Sequence, residues 1–304
     1  KATAKAVPVL AALLDDEKLS HMARYALEPI DDPAVDAALR AALGRVKGRQ
    51  LIGVVGSLGF RRDAKAAALI GTYLASDDAD LVKVTARSLG RIGTVAAAEI
   101  LEKAMPKKAG PVRLAFCKGL MRCAEALAAG DATAKASAIY DGLRNVPDAP
   151  HQVRAGALRG AVLVRGEKGL PLLLEAIRGD DYAVTAAAAR AAMEMTGDGV
   201  TAALAEELGK LPVDKQVLLT QTMADRGDPA ALPSLMTLAG KGEKAARIAA
   251  IRAIPALGGA GAVKTLLALQ KDDDREVAAA AQEALGALSG DAVDTAIIAM
   301  LKSP

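Results

Sequence analysis

One pattern recurs nine times along this 304-residue chain at a spacing of 31 residues, with a single interval of 41. In each copy a small or short polar residue lies seven positions after the first residue of the pattern, and an apolar residue lies at the eighth. The copies begin at Leu19, Gln50, Leu81, Val112, Val153, Val184, Lys215, Ala246 and Val277. A fixed period in this range is typical of repeat arrays, whose units bury their apolar faces against one another.

Each unit carries two helical patterns. Apolar residues at positions zero, four, seven and eight form one face of a helix, here called helix B. A second ladder with the same period precedes it and predicts helix A, at Leu39, Ile70, Leu101, Leu173, Leu204, Leu235, Leu266 and Ile297. Apolar residues make up 52% of the chain and aromatic residues only 2%, so the core is built mainly from Ala and aliphatic residues that favour helices. We predict a single all-α, right-handed solenoid over residues 1–304, with about nine and a half two-helix units.

Turn residues separate the predicted helices. Acidic clusters at 15–16, 77–78, 180–181 and 272–274 precede helix B, where aspartate accepts hydrogen bonds from free backbone N–H groups. The irregular interval predicts an insertion around residues 124–151, shared between a fourth helix B that runs to Ala128 and a loop at 145–151. Two interpretations stay open: the insertion changes local curvature, or it forms an edge that contacts a partner.

Four fragments resemble HEAT repeats, and in particular the short HEAT-like repeats of phycobilisome lyases. They are AVPVLAALLDD (6–16), VKVTARSLGRIG (82–93), GLPLLLEAIRGDD (169–181) and EVAAAAQEALG (276–286). The resemblance implies a right-handed superhelix with B helices on the concave side, and a scaffold or adaptor role. It also implies an Asp–Arg ladder between repeats, but arginine follows the first position only at Arg113, Arg154 and Arg247.

Enzymatic functions found on similar repeats lack support in the residues. The two histidines, His21 and His151, are not followed by Glu as in the iron-binding pairs of deoxyhypusine hydroxylase, so we predict no metal and no cofactor. The absence of Trp argues against a base-stacking platform. Cys117 and Cys123 lie on different sides of one predicted helix and should not pair with each other, so we interpret them as small core or boundary residues. Two unpaired thiols favour a reducing compartment such as the cytoplasm, although the localisation itself is not indicated.

Charge is concentrated in one region. Residues 44–122 hold 15 Lys and Arg against six Asp and Glu, a net of +9, whereas the whole chain has a net charge of +3. Basic residues at the sixth and tenth positions of the B helices predict a basic stripe: Arg87, Arg91, Lys118, Arg122, Arg159, Arg190 and, further along, Arg252. The stripe is either a solvated face or a binding surface for an acidic peptide or a polyanion.

These patterns favour a non-enzymatic scaffold that binds a protein or an acidic peptide. Binding of nucleic acid along 44–122 and an enzyme of the phycobilin-lyase type are the alternatives. No run of apolar residues approaches the length that spans a bilayer. We expect Leu89, Leu120 and Leu285 in the core. We also expect a longer natural chain, because the first residue is Lys1, and end-to-end self-association through Ile297, Ile298, Met300 and Leu301.

Overall fold

The structure, a computed structural model, describes residues 3–197 and 199–301. Helices account for 77% of it and no strand occurs among the described residues, which confirms the all-α prediction. The helices, in chain order, are α1 (Val7–Ala12), α2 (Ser20–Leu27), α3 (Pro33–Ala42), α4 (Gly48–Phe60), α5 (Ala67–Gly71), α6 (Ala79–Ile92), α7 (Val95–Lys103), α8 (Pro111–Ala128), α9 (Thr133–Arg144), α10 (His151–Arg165), α11 (Leu170–Arg178), α12 (Tyr182–Glu194), α13 (Gly199–Leu208), α14 (Val213–Arg226), α15 (Leu232–Lys241), α16 (Lys244–Ala253), α17 (Val263–Leu269), α18 (Arg275–Ala287) and α19 (Asp291–Leu301).

The even-numbered helices are the predicted B helices. Each begins within two residues of the position that the 31-residue period assigns to it, and the odd-numbered helices carry the A ladder. Short 3-10 turns extend several of the odd-numbered helices at either end. The two-helix unit and its register are therefore as the sequence indicates.

The helices group into two compact units, Lys1–Val164 and Arg165–Pro304. Within the first unit, α4, α6 and α8 pack in succession, with α5 and α7 forming a second layer beside them. Within the second unit, α12, α14, α16 and α18 pack in succession, and α11, α13, α15, α17 and α19 form the other layer. That one continuous solenoid joins both units stays a prediction.

Three of the four acidic clusters cap an even-numbered helix; the cluster at 15–16 does not, because the N-cap residue of α2 is Leu19 and no side chain caps that helix. Asp78 accepts hydrogen bonds from the backbone N–H groups of Asp80 and Leu81, at 2.9 and 3.2 Å. Asp181 and Asp274 cap α12 and α18 in the same way. Because the carboxylate satisfies free N–H groups and suits the helix dipole, each aspartate fixes where an even-numbered helix begins.

Both ladders form the core, with exceptions. Leu89 is fully buried and Leu120 is nearly so, as are the A-ladder residues from Leu39 to Leu266. Leu19, the first position of the first copy, is 46% exposed. The prediction that Leu285 belongs to the core is wrong, because this side chain is only half-buried, and Ile297 of the A ladder is half-buried as well. Leu285 lies on α18, which packs against α16 and α17, and no further B helix lies beside it among the described residues.

Glycine and serine at and near the seventh position allow consecutive even-numbered helices to touch through their backbones. A Cβ atom on Gly90 would lie 2.7 Å from the Cα atom of Gly119, and one on Gly119 would lie 2.5 Å from the carbonyl oxygen of Ala86. A Cβ atom on Gly59 would lie 2.5 Å from that of Ser88. These distances leave no room for a larger side chain, which explains the small residue in each copy of the pattern.

The insertion has the predicted form. Helix α8 ends at Ala128, α9 follows it, and the loop before α10 spans 145–150. The buried guanidinium group of Arg113 donates hydrogen bonds to the carbonyl oxygens of Lys107, at 3.0 Å, and Pro147, at 2.6 Å, and so holds this loop against the start of α8. Nearby, Cys117 and Cys123 are buried free thiols, and burial raises the pKa of Cys123 to about 12.

Candidate interaction site

The residues of the predicted basic stripe are all exposed on even-numbered helices. Arg87 and Arg91 lie on α6, Lys118 and Arg122 on α8, and Arg159 on α10, within the first unit. Arg190 and Arg252 are exposed on α12 and α16 of the second unit, where Arg252 lies 4.0 Å from a carboxylate oxygen of Glu283. That these residues form one continuous stripe across both units stays a prediction.

The structure brings two of these residues together in an open cleft of about 440 Å³. Arg91, from the last turn of α6, and Arg122, from α8, line it from two sides. Gly90 forms part of its floor, because the glycine contact between α6 and α8 leaves no side chain there. The remaining lining residues are Arg62, Glu125 and Ala126.

Sequence reasoning missed Arg62 as a site residue. It follows α4 and adopts a left-handed backbone with φ of 56°, which turns the chain back toward α5. The preceding residue, Arg61, is committed to structure: it pairs with Asp36 and donates to the carbonyl oxygen of Ile30 at 2.7 Å. The signal in the sequence was the Arg61–Arg62 doublet at a helix end, of which one residue binds the preceding repeat and the other reaches the cleft.

The cleft has an excess of positive charge. Three guanidinium groups face one carboxylate, that of Glu125. Among the residues that the structure describes, no ion pair within 4.0 Å engages Arg62, Arg91 or Arg122. Elsewhere on α6, Lys83 is paired with Asp80 at 2.6 Å, and this hydrogen bond lowers the pKa of Asp80. The uncompensated charge of the cleft therefore comes from the last turn of α6, the middle of α8 and the segment just beyond α4.

The guanidinium groups suit recognition of oxyanions. Each presents a planar fork of N–H donors that matches a carboxylate or phosphate group in two-pronged hydrogen bonds. The donors stand in an open cleft and not in a closed pocket, so a chain passing across the helices can reach them. No aromatic side chain lines the cleft, although Phe60 near the end of α4 is 56% exposed.

Residues suited to metal binding do not cluster in the described part of the chain. No group of three or more His, Cys, Asp or Glu side chains is placed to hold a metal ion there. His21 and His151 are both exposed, on α2 and α10. Within the same described residues, no helix is long and apolar enough to cross a bilayer.

The helix pairs and their period define an α-solenoid. Residues 201–286 match the model of the family described as HEAT repeats, which confirms the resemblance in this part of the chain. The same helix pair, caps and core ladder recur outside 201–286, so the fold is that of a HEAT-repeat solenoid.

Solved structures with similar folds include proteins of different kinds. A mutant of the karyopherin Kap121p is 11% identical, with a TM-score of 0.51 over 98% of this chain and 40% of that one. The CpcE–CpcF complex of phycocyanin lyase from a Nostoc species is 18% identical, with a TM-score of 0.40 over 75% and 91% of the two chains. Human deoxyhypusine hydroxylase in complex with glycerol is 18% identical, with a TM-score of 0.36 over 93% and 96%. No curated protein sequence matches the chain.

Proposed function

We propose that this protein is a non-enzymatic scaffold that binds an acidic segment of a partner protein in the cleft between α6 and α8. The observation that carries the proposal is the convergence of Arg62, Arg91 and Arg122 on one open cleft without ion-pair partners. HEAT repeats are typical of scaffolds and adaptors, which present extended surfaces to other macromolecules.

A protein segment fits the cleft better than nucleic acid does. Single strands are usually held by aromatic side chains that stack on successive bases, in addition to a basic groove. The cleft offers three guanidinium groups, a carboxylate and a glycine floor, and its lining contains no aromatic ring. The carboxylate of Glu125 gives the site a second sign of charge, which favours a partner with a specific charge pattern over a uniform polyanion.

An enzyme of the phycobilin-lyase type stays an alternative hypothesis. In the described residues, no group of three or more His, Cys, Asp or Glu side chains could hold a metal ion. Self-association through the last helix also stays a proposal. Ile297 is half-buried and Ile298 is 50% exposed, whereas the side chains of Met300 and Leu301 lie outside the described part of the structure.

The test compares two variants that lose the same charge at different places. The cleft variant carries Arg62→Gln, Arg91→Gln and Arg122→Gln, and the matched control carries Lys65→Gln, Lys103→Gln and Lys108→Gln. All six residues are exposed, so both variants should keep the helical content of the original, which circular dichroism verifies. The control lysines do not line the cleft: Lys65 precedes α5, Lys103 is the last residue of α7, and Lys108 lies between α7 and α8.

Binding is measured by fluorescence anisotropy with a labelled peptide rich in Asp and Glu, and with a single-stranded oligonucleotide of equal charge. We expect the cleft variant to bind the peptide at least about tenfold more weakly, because charge-assisted hydrogen bonds are lost, and to show a flatter salt dependence. The control should bind like the original. Equal losses in both variants would contradict a defined cleft, and tighter binding of the oligonucleotide would favour the nucleic-acid alternative.

A further inference from the structure

A second cavity lies between α2 and α4, at the opposite end of the even-numbered helices from the cleft. Its volume is about 470 Å³ and it is open to solvent. Its lining is almost entirely polar and comprises Glu17, Ser20, His21, Arg24, Arg49 and Gln50. Of these residues only Gln50 belongs to the periodic pattern, as the first position of the second copy; the basic stripe includes none of them, and the proposed scaffold function does not use them.

The central side chain of the cavity is Arg24. Its guanidinium group lies against the backbone of Gly53, a position that exists because glycine has no side chain there. The Nε atom is buried and has no hydrogen-bond acceptor, while Nη2 lies 3.5 Å from Nδ1 of His21. Burial lowers the pKa of Arg24, with Glu28 acting in the opposite direction. The guanidinium group has thus lost water without gaining a full set of acceptors.

The other lining groups offer both donors and acceptors, and their charges do not cancel that of Arg24. Arg49 and His21 are exposed and Gln50 is half-exposed. The hydroxyl group of Ser20 is already used, since it donates to the carbonyl oxygen of Leu14 at 2.7 Å. Glu17 provides the one carboxylate among the lining residues, against the two guanidinium groups of Arg24 and Arg49. The cavity therefore has an excess of positive charge.

We propose that this cavity binds the oxyanion of a phosphate monoester, held between Arg24 and Arg49 with His21 beside it. A phosphate group brings negative charge to two guanidinium groups that face one carboxylate, and its oxygens can accept from the Nη groups of Arg24 and from Arg49. The site does not depend on the cleft between α6 and α8. A carboxylate offers two oxygens in one plane and a single negative charge, whereas phosphate offers a tetrahedral set of oxygens and more charge, so the experiment distinguishes the two.

The test follows the imidazole proton signals by NMR while methyl phosphate or acetate is added at constant pH and ionic strength. The chain has two histidines, so His21 reports on the cavity and His151, on α10, serves as an internal control. We expect a saturable shift of the His21 signal with methyl phosphate, a much weaker response to acetate, and no comparable shift of His151.

Three variants locate the binding. Arg24→Gln and Arg49→Gln should each weaken methyl phosphate binding about tenfold, as the loss of a charge-assisted hydrogen bond predicts. Arg49 is exposed, so its variant stays folded even where Arg24→Gln disturbs the packing on Gly53. Lys18→Gln is the matched control, because Lys18 is exposed in the same turn but does not line the cavity.

Three results would overturn the proposal. A shift of His21 that never saturates, or that His151 shares, would show general ionic effects and no site. An equal loss in Lys18→Gln and Arg49→Gln would show diffuse attraction. Tighter binding of acetate would exclude the phosphate assignment. The cleft variant, with Arg62→Gln, Arg91→Gln and Arg122→Gln, should give the same shift of the His21 signal with methyl phosphate as the original protein, so this proposal and the scaffold function fail separately.

Discussion

The replacement Leu89→Ala tests the core that the repeat period predicts. Leu89 is fully buried on α6, at the position where an apolar residue recurs in every copy. Removing a buried Leu side chain costs about 2–5 kcal/mol, and the value depends on how far the neighbours collapse into the cavity. Here they are held apart: Gly59 already touches Ser88, and Gly90 already touches Gly119. Helix α6 therefore has no freedom to approach α4 or α8, and we expect about 4 kcal/mol, in the upper part of that range.

The matched comparison is Leu285→Ala, at the same position of the repeat. Leu285 is half-buried, so its truncation removes less contact and should cost about 1 kcal/mol. Chemical denaturation followed by circular dichroism measures both values. Because repeat arrays can unfold in segments, the loss for Leu89→Ala is read from the transition that reports the first unit. If Leu89→Ala costs no more than Leu285→Ala, the argument from glycine contacts and the proposed register are wrong.

Three further predictions concern packing, pH and association. Gly119→Ala should destabilise the first unit by about 1–3 kcal/mol, because its Cβ atom would strike the carbonyl oxygen of Ala86. Gly142→Ala is the control, because a Cβ atom there has open space and should not destabilise the protein. Thermal unfolding compares the two variants. Arg178 and Lys210 lower the pKa of Glu207 from 4.5 to about 2, so this glutamate stabilises the fold above pH 4.5 and its contribution disappears as the pH falls toward 2. Arg178→Gln should reduce the slope of the unfolding midpoint against pH in that interval. An unchanged slope would refute the assignment of this stabilisation to the pairing of Glu207 with Arg178. Finally, Ile298→Asp should lower the apparent mass in concentration-dependent light scattering, and a strictly monomeric original protein would contradict self-association there.

The fold could be predicted from the sequence because its determinants are local and repeated. The aspartate caps, the apolar face and the small seventh residue each act within one or two helices, and nine copies reinforce the same register. The sequence also predicted the ends of the irregular interval, because α8 ends at Ala128 and the next even-numbered helix begins at His151. The periodic argument fails for a core residue at Leu285, which has no further B helix beside it in the described part of the chain, and at Leu19, which is 46% exposed.

The site was less predictable, because it depends on where side chains from different helices meet. Arg91 and Arg122 were found by their position in the repeat. Arg62 was not, since it lies just beyond α4 in a left-handed backbone that the periodic pattern does not describe. The cavity around Arg24 was missed for a related reason: its lining comes from two helices and the turn before the first, and no spacing in the sequence links these residues.

The cleft between α6 and α8 and the close packing of these helices both result from the missing side chain at Gly90. Gly90 allows α6 to approach α8, and the same missing side chain leaves the floor of the cleft open between Arg91 and Arg122. A larger residue at Gly90 would separate the helices and fill the cleft at once, so a loss of binding in such a variant would not distinguish recognition from stability. Arg91 and Arg122 are exposed and make no ion pair in the described structure, so they can be replaced without disturbing the helix contact. We therefore expect the arginines to set the specificity of the proposed binding, while the glycines fix the distance at which those arginines face each other.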